Sequence, residues 1–165
     1  MAVLAAGVAL VFSSPLAPQG PAQKPSPAPG RIIRSWVAGC GTGEDLWKYR
    51  DSTTVKCDEG GTPLLGTEGA FEWPVDLKWT EIDRLVVEGG ELDGVLFELW
   101  WAAPEEPFQS ERSVPQFSSS TNAAEVIFEL AASPEWNGEM RRFRLVWSGT
   151  PSRDSRVTEV RVEKR

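Results

Sequence analysis

The run Ser133-Pro134-Glu135-Trp136-Asn137-Gly138-Glu139-Met140-Arg141-Arg142-Phe143-Arg144-Leu145-Val146-Trp147 constrains the fold more than any other stretch of the chain. It opens on a Pro-bearing turn and becomes a strand. Phe143, Leu145 and Trp147 share one parity, Arg142 and Arg144 take the other, and Val146 is the exception. Successive strand side chains point to opposite faces, so the pattern reads as a half-buried antiparallel strand. A breaker-rich loop, Ser148 to Ser155, leads to a closing strand from Arg156 to Lys164. That loop is too long for a tight hairpin and suits a β-sandwich whose chain turns at the end of the sheets.

The same alternation marks further strands at Arg31 to Ala38, Ala70 to Trp73, Ile82 to Glu88, Gly94 to Ala102 and Ala123 to Leu130. In the most apolar of them, Phe97, Leu99 and Trp101 fall on one face and Leu96, Glu98 and Trp100 on the other. An unpaired carboxylate is expensive to bury, so Trp100 is placed with Glu98 on the outer face. In Val126, Phe128 and Leu130 another core parity is legible. Asp58 to Gly69 reads as turn, Val75 to Thr80 as a connecting turn, and Pro104 to Ser120 as a long loop anchored by Phe108, Val114 and Phe117. No stretch has helical periodicity. The expectation is an all-β, antiparallel jelly-roll β-sandwich over residues 31–165.

Ahead of it, residues 1–14 carry an apolar run, Ala2 to Phe12, too short to span a bilayer and of a length that suits a signal-peptide h-region or a membrane anchor. Residues 15–30 form a linker rich in Pro and Ala, an extended spacer with no core of its own. The implied organisation is tail, stalk and head, exported to the periplasm, the cell envelope or the medium. In such a compartment Cys40 and Cys57 are expected to pair as a disulfide. Val37-Ala38-Gly39-Cys40 has the form of a lipobox, but Arg31 and Arg34 interrupt the apolar run such a signal needs. The glycines around Cys40 lack a P-loop lysine and read as a turn.

Composition removes several chemistries. A net charge of −7 repels a phosphate backbone, which makes nucleic acid a poor partner, and leaves the N-terminal segment as the only route to a membrane. The absence of histidine excludes Ser-His-Asp and Cys-His nucleophile systems. Two cysteines cannot build a four-cysteine metal site. Asp45, Asp58, Glu59 and Asp154 lie in turns that suit a structural calcium, and no other cofactor is implied.

An acidic-apolar strand ending in Leu130, then Ser133-Pro134-Glu135-Trp136-Asn137-Gly138, Phe143-Arg144-Leu145 and Val157 to Val162, resembles the C-terminal half of galactose-binding-like jelly rolls. Ile82 to Val87 followed by Phe97 to Trp101 looks like the preceding strand pair of that fold, so the resemblance covers Ile82 to Lys164. It implies a carbohydrate-binding-module-like architecture in which Trp136 caps the sandwich, and it carries over no ligand residue.

Read together, these features point to a non-catalytic module that recognises a polysaccharide, glycan or other surface. Sugars stack their C–H faces on indoles and bond through hydroxyls to charged side chains. Trp100 is the first expected platform, Trp47 and Trp73 are the alternates, and Glu98, Arg142 and Arg144 are the polar contacts. A structural or protein-interaction domain of an envelope complex is the alternative. A small glycosidase or lyase would need a pair of carboxylates across a cleft. Glu98, Glu125, Glu129 and Glu159 are the strand carboxylates on offer, and no spacing singles out two of them.

Overall fold

The computed structural model describes residues 30–39, 48–49, 56–103, 105–117, 124–138 and 140–165. The apolar segment, most of the linker, Cys40, Asp45 and Trp47 lie outside the described residues. The strands run in the order β1 (Arg31–Val37), β2 (Lys48–Tyr49), β3 (Lys56–Cys57), β4 (Pro63–Leu64), β5 (Glu68–Pro74), β6 (Arg84–Gly90), β7 (Val95–Ala102), β8 (Ser113–Phe117), β9 (Glu125–Glu129), β10 (Arg142–Gly149) and β11 (Arg156–Lys164). They form two antiparallel sheets packed as a sandwich. One sheet has the order β3-β4-β11-β6-β9, with β1 also paired to β11; the other has the order β2-β5-β10-β7-β8.

The parity argument holds on both sheets. At the centre of the five-stranded sheet, β10 sets Phe143 beside Trp101 and Trp73, Leu145 beside Leu99 and Phe71, and Trp147 beside Phe97 and Gly69. All of these but Gly69 are buried core side chains. Opposite them, Leu85 and Val87 of β6, Val126 and Phe128 of β9, and Val160 and Val162 of β11 close the core. Gly69 has a packing reason: a Cβ there would fall 2.2 Å from the Trp147 ring. Its absence lets the indole lie over the strand and donate from Nε1 to the Gly66 carbonyl at 3.1 Å.

Chain reversals carry the polypeptide between layers. β10 belongs to the five-stranded sheet and β11 to the other, so the loop 150–155 turns at the end of the sandwich as its length implied. The connection 91–94 does the same between β6 and β7, plugged by the fully buried Leu92. Trp136 caps one end: its indole N–H donates to the Ile82 carbonyl at 3.2 Å, and its ring meets Trp101 edge-on at 4.9 Å.

Several boundaries differ from the sequence reading. The segment 104–120 contains β8, an edge strand on β7, where Pro115 is tolerated because an edge can lose one N–H. Asp58 to Gly69 contains β4 and the start of β5, and a single 3-10 turn, Trp79–Glu81, occupies part of the supposed connecting turn. β6 starts at Arg84 rather than Ile82, because Ile82 ends that 3-10 turn.

Candidate functional site

The outer face of the five-stranded sheet gathers most of the expected ligand contacts. In register across it, Arg144 on β10 has Glu72 on β5 to one side and Trp100 on β7 to the other, and Trp100 is followed by Ser113 on β8. One step along, Glu98 lies opposite Val146. Arg142 donates to Glu72 Oε1 at 3.3 Å and to the carbonyl of Glu106. Ser113 Oγ donates to Glu98 Oε1 at 2.7 Å. The loop between β7 and β8 folds back over this face: the Phe108 ring centre lies 4.9 Å from the Arg142 guanidinium carbon and 5.7 Å from that of Arg144. Trp100, Glu98, Arg142 and Arg144 therefore share one surface, half-buried rather than open.

Trp73 does not join them. It has the opposite parity, is only 3% exposed, and packs edge-on against Phe143 at 5.7 Å. As a core side chain it presents no platform, which corrects its placement among the ligand contacts. Trp47 lies outside the described residues. The strand carboxylates separate as well. Glu98 is on one sheet, while Glu125, Glu129 and Glu159 are on strands of the other. There Glu125 pairs with Arg161 at 2.9 Å and Glu129 with Arg165 at 2.7 Å. Asp58 spends Oδ1 on the backbone N–H groups of Gly60 and Thr62, and no cluster of three metal-ligating side chains occurs among the described residues.

An open concavity lies elsewhere, at the end of the sandwich where β5 finishes and β10 begins. The segment 76–81, with Gly138, Met140 and Arg141, borders a cleft of about 730 Å³. Backbone bonds fix its walls: Val75 N–H donates to the Arg141 carbonyl at 2.7 Å, and Arg141 N–H to the Ala102 carbonyl at 2.9 Å. Glu81 Oε2 accepts from the Lys78 N–H at 2.9 Å, which shapes the 3-10 turn. That turn holds Trp79 outward, 41% exposed, between the main cleft and a smaller hollow of about 250 Å³. Across the cleft Arg141 and Asp76 pair at 2.6 Å with both side chains well exposed. At the rim of the smaller hollow, Asp83 accepts from Lys164 Nζ at 2.6 Å and from the Arg165 N–H at 2.8 Å. The Lys164 hydrogen bond outweighs burial and holds the Asp83 carboxyl below the usual carboxylate range.

This arrangement sets the exposed face of Trp79 beside the donor–acceptor pair of Arg141 and Asp76. The sequence reading left Trp79 in a turn. The signal that would have found it is its isolation: Leu77-Lys78-Trp79-Thr80-Glu81 has no strand parity into which so large a ring could fit.

Set against known protein families, curated proteins and solved structures, the chain matches none of them.

Proposed function

We propose that this domain is a non-catalytic saccharide-recognition module of the galactose-binding-like jelly-roll kind, exported and held away from its anchor point by the proline-rich linker. One observation carries the reading: an exposed indole, Trp79, at the mouth of a 730 Å³ cleft that also contains the exposed Arg141–Asp76 pair. The volume falls within the ordinary range of small-ligand sites. A sugar ring laid on Trp79 buries its C–H face, while one hydroxyl accepts from Arg141 and a neighbouring one donates to Asp76.

The test is a binding screen on soluble neutral glycans (galactan, glucan, xylan and mannan oligosaccharides) with wild type, Trp79→Ala and Arg141→Gln. At least one glycan should bind, and each variant should weaken it by about tenfold or more, which is ~1.4 kcal/mol. Melting temperature should barely move, because both side chains sit at the surface. A wild-type protein that binds no glycan, or a Trp79→Ala protein that binds as well as wild type, defeats the reading.

A second reading, pairing with an envelope protein, is favoured by β1. Among the described residues it pairs with β11 alone, and Ile32 is 57% and Val37 64% exposed. Edges of this sort accept a strand from a partner. Capture of one envelope protein by wild type, lost in Val37→Lys, would support it.

Export also implies the Cys40–Cys57 disulfide, Cys40 lying outside the described residues. Protein purified from the periplasm or medium should show no free thiol by mass after alkylation without reductant. Two alkylated cysteines would refute the pairing.

A further inference from the structure

On the outer face of the five-stranded sheet, three N–H groups are buried without an acceptor among the described residues: Arg142 Nε, Arg144 Nε and Trp100 Nε1. Arg142 at least spends its other nitrogens on Glu72 and Glu106. Arg144 has neither ion pair nor hydrogen bond among the described residues, and its guanidinium lies against the face of Phe108. Arg144 and Trp100 are direct cross-strand neighbours, so their side chains start about 5 Å apart. A buried donor without a partner costs ~1–3 kcal/mol, and native proteins rarely leave several together. In a chain of net charge −7, a cation held in reserve on a sheet face is a feature that calls for a ligand.

We propose that this face is a second binding site, covered by Phe108, that takes the carboxylate of an acidic saccharide residue. The Arg144 guanidinium edge and the Trp100 indole N–H supply the donors, with Arg142 Nε beside them. Glu98 makes the ligand more than a bare anion. One of its oxygens accepts from Ser113, which leaves the other for a sugar hydroxyl. Glu72 and Glu98 share the face, so a singly charged carboxylate with neighbouring hydroxyls suits it better than a doubly charged sulfate or phosphate. Entry requires Phe108 to leave the guanidinium groups, whose loop is fastened by the exposed Arg112–Glu106 pair at 2.8 Å. Exposed pairs of this sort are worth ~0–1 kcal/mol, so the fastening is weak. For the sugar ring this proposal rests on the saccharide reading above; for the carboxylate it rests on the orphaned donors.

The experiment titrates sodium glucuronate, methyl glucoside and sodium sulfate separately into 15N-labelled full-length protein, following the Trp indole and Arg Nε–H resonances. Glucuronate should shift the Trp100 and Arg144 signals saturably, and methyl glucoside and sulfate should bind there at least tenfold more weakly. Arg144→Gln should weaken glucuronate binding tenfold or more, Arg144→Lys nearly as much because the fork is lost, and Phe108→Ala should tighten it severalfold. Trp79→Ala should leave it unchanged, which separates failure here from failure at the end cleft. Glucuronate binding that survives Arg144→Gln, sulfate binding as tightly as glucuronate, or weaker binding in Phe108→Ala would overturn the proposal.

Discussion

Trp101→Ala is expected to cost about 3–5 kcal/mol of folding stability. The Trp101 side chain is fully buried, sits in register with Phe143, and meets Trp136 edge-on at 4.9 Å. Trp136 in turn reaches the Ile82 carbonyl, at the entry to the six-stranded sheet. Truncation therefore opens a cavity at the point where the cap joins the two layers. Domains of this size are stable by ~5–15 kcal/mol in total, so such a loss is a large fraction of the whole. Urea unfolding followed by fluorescence should show the midpoint fall sharply. The contrast with Trp79→Ala, expected within about 0.5 kcal/mol of wild type, separates a core indole from a surface one.

Glu163→Gln should be the next most damaging change, again ~3–5 kcal/mol, because it leaves a buried guanidinium uncompensated. Arg84 and Glu163 are cross-strand partners on β6 and β11, almost wholly buried, with Arg84 Nε donating to Glu163 Oε2 at 2.6 Å. Gly30 N–H donates to the same oxygen at 3.1 Å, and Arg161 Nε donates to the other at 2.6 Å. Burial pushes the Glu163 carboxyl up, but the hydrogen bonds from Arg161, Arg84 and Gly30 outweigh it and hold the group below the usual carboxylate range. A carboxyl depressed in the folded state binds fewer protons there than in the unfolded chain. Its contribution is therefore complete above the ordinary carboxylate value, about 4.3, and is lost as pH falls through the lower folded value. Thermal unfolding at pH 7 and at successive steps down to pH 3 should show wild type losing stability through that window. Asp83 adds to the slope with the same sign, and Glu163→Gln should flatten it. Parallel curves for the two proteins would contradict the assignment.

Strand parity was legible because a two-residue period leaves little choice once one face is apolar. Phe97, Leu99 and Trp101, and likewise Phe143, Leu145 and Trp147, point inward as their spacing requires, with Arg142, Arg144, Glu98 and Trp100 outward. Elements without that period were not legible. The edge strand β8 carries Pro115 and too few apolar residues to declare itself, and β4 is two residues long. Trp73 ends a strand of only four expected residues, too short for its parity to be fixed from the sequence, and register with Phe143 draws its ring into the core. The end cleft was invisible for a different reason. It is assembled from the segment 76–81 and from Gly138, Met140 and Arg141, which only the closing of the sandwich brings together. Glu98, Trp100, Arg142 and Arg144 share the outer face as parity requires, but their half-burial under Phe108 depends on how a loop folds, and no local pattern encodes that.

Saccharide recognition at the end cleft is tested most directly by the indole N–H signals of the eight tryptophans in 15N-labelled protein. On titration with the tightest-binding neutral glycan of the screen, the resonance missing from Trp79→Ala should move saturably. Those of the core rings Trp36, Trp73, Trp101, Trp136 and Trp147 should stay nearly fixed. Movement of other indoles while the Trp79 signal stands still would contradict the account.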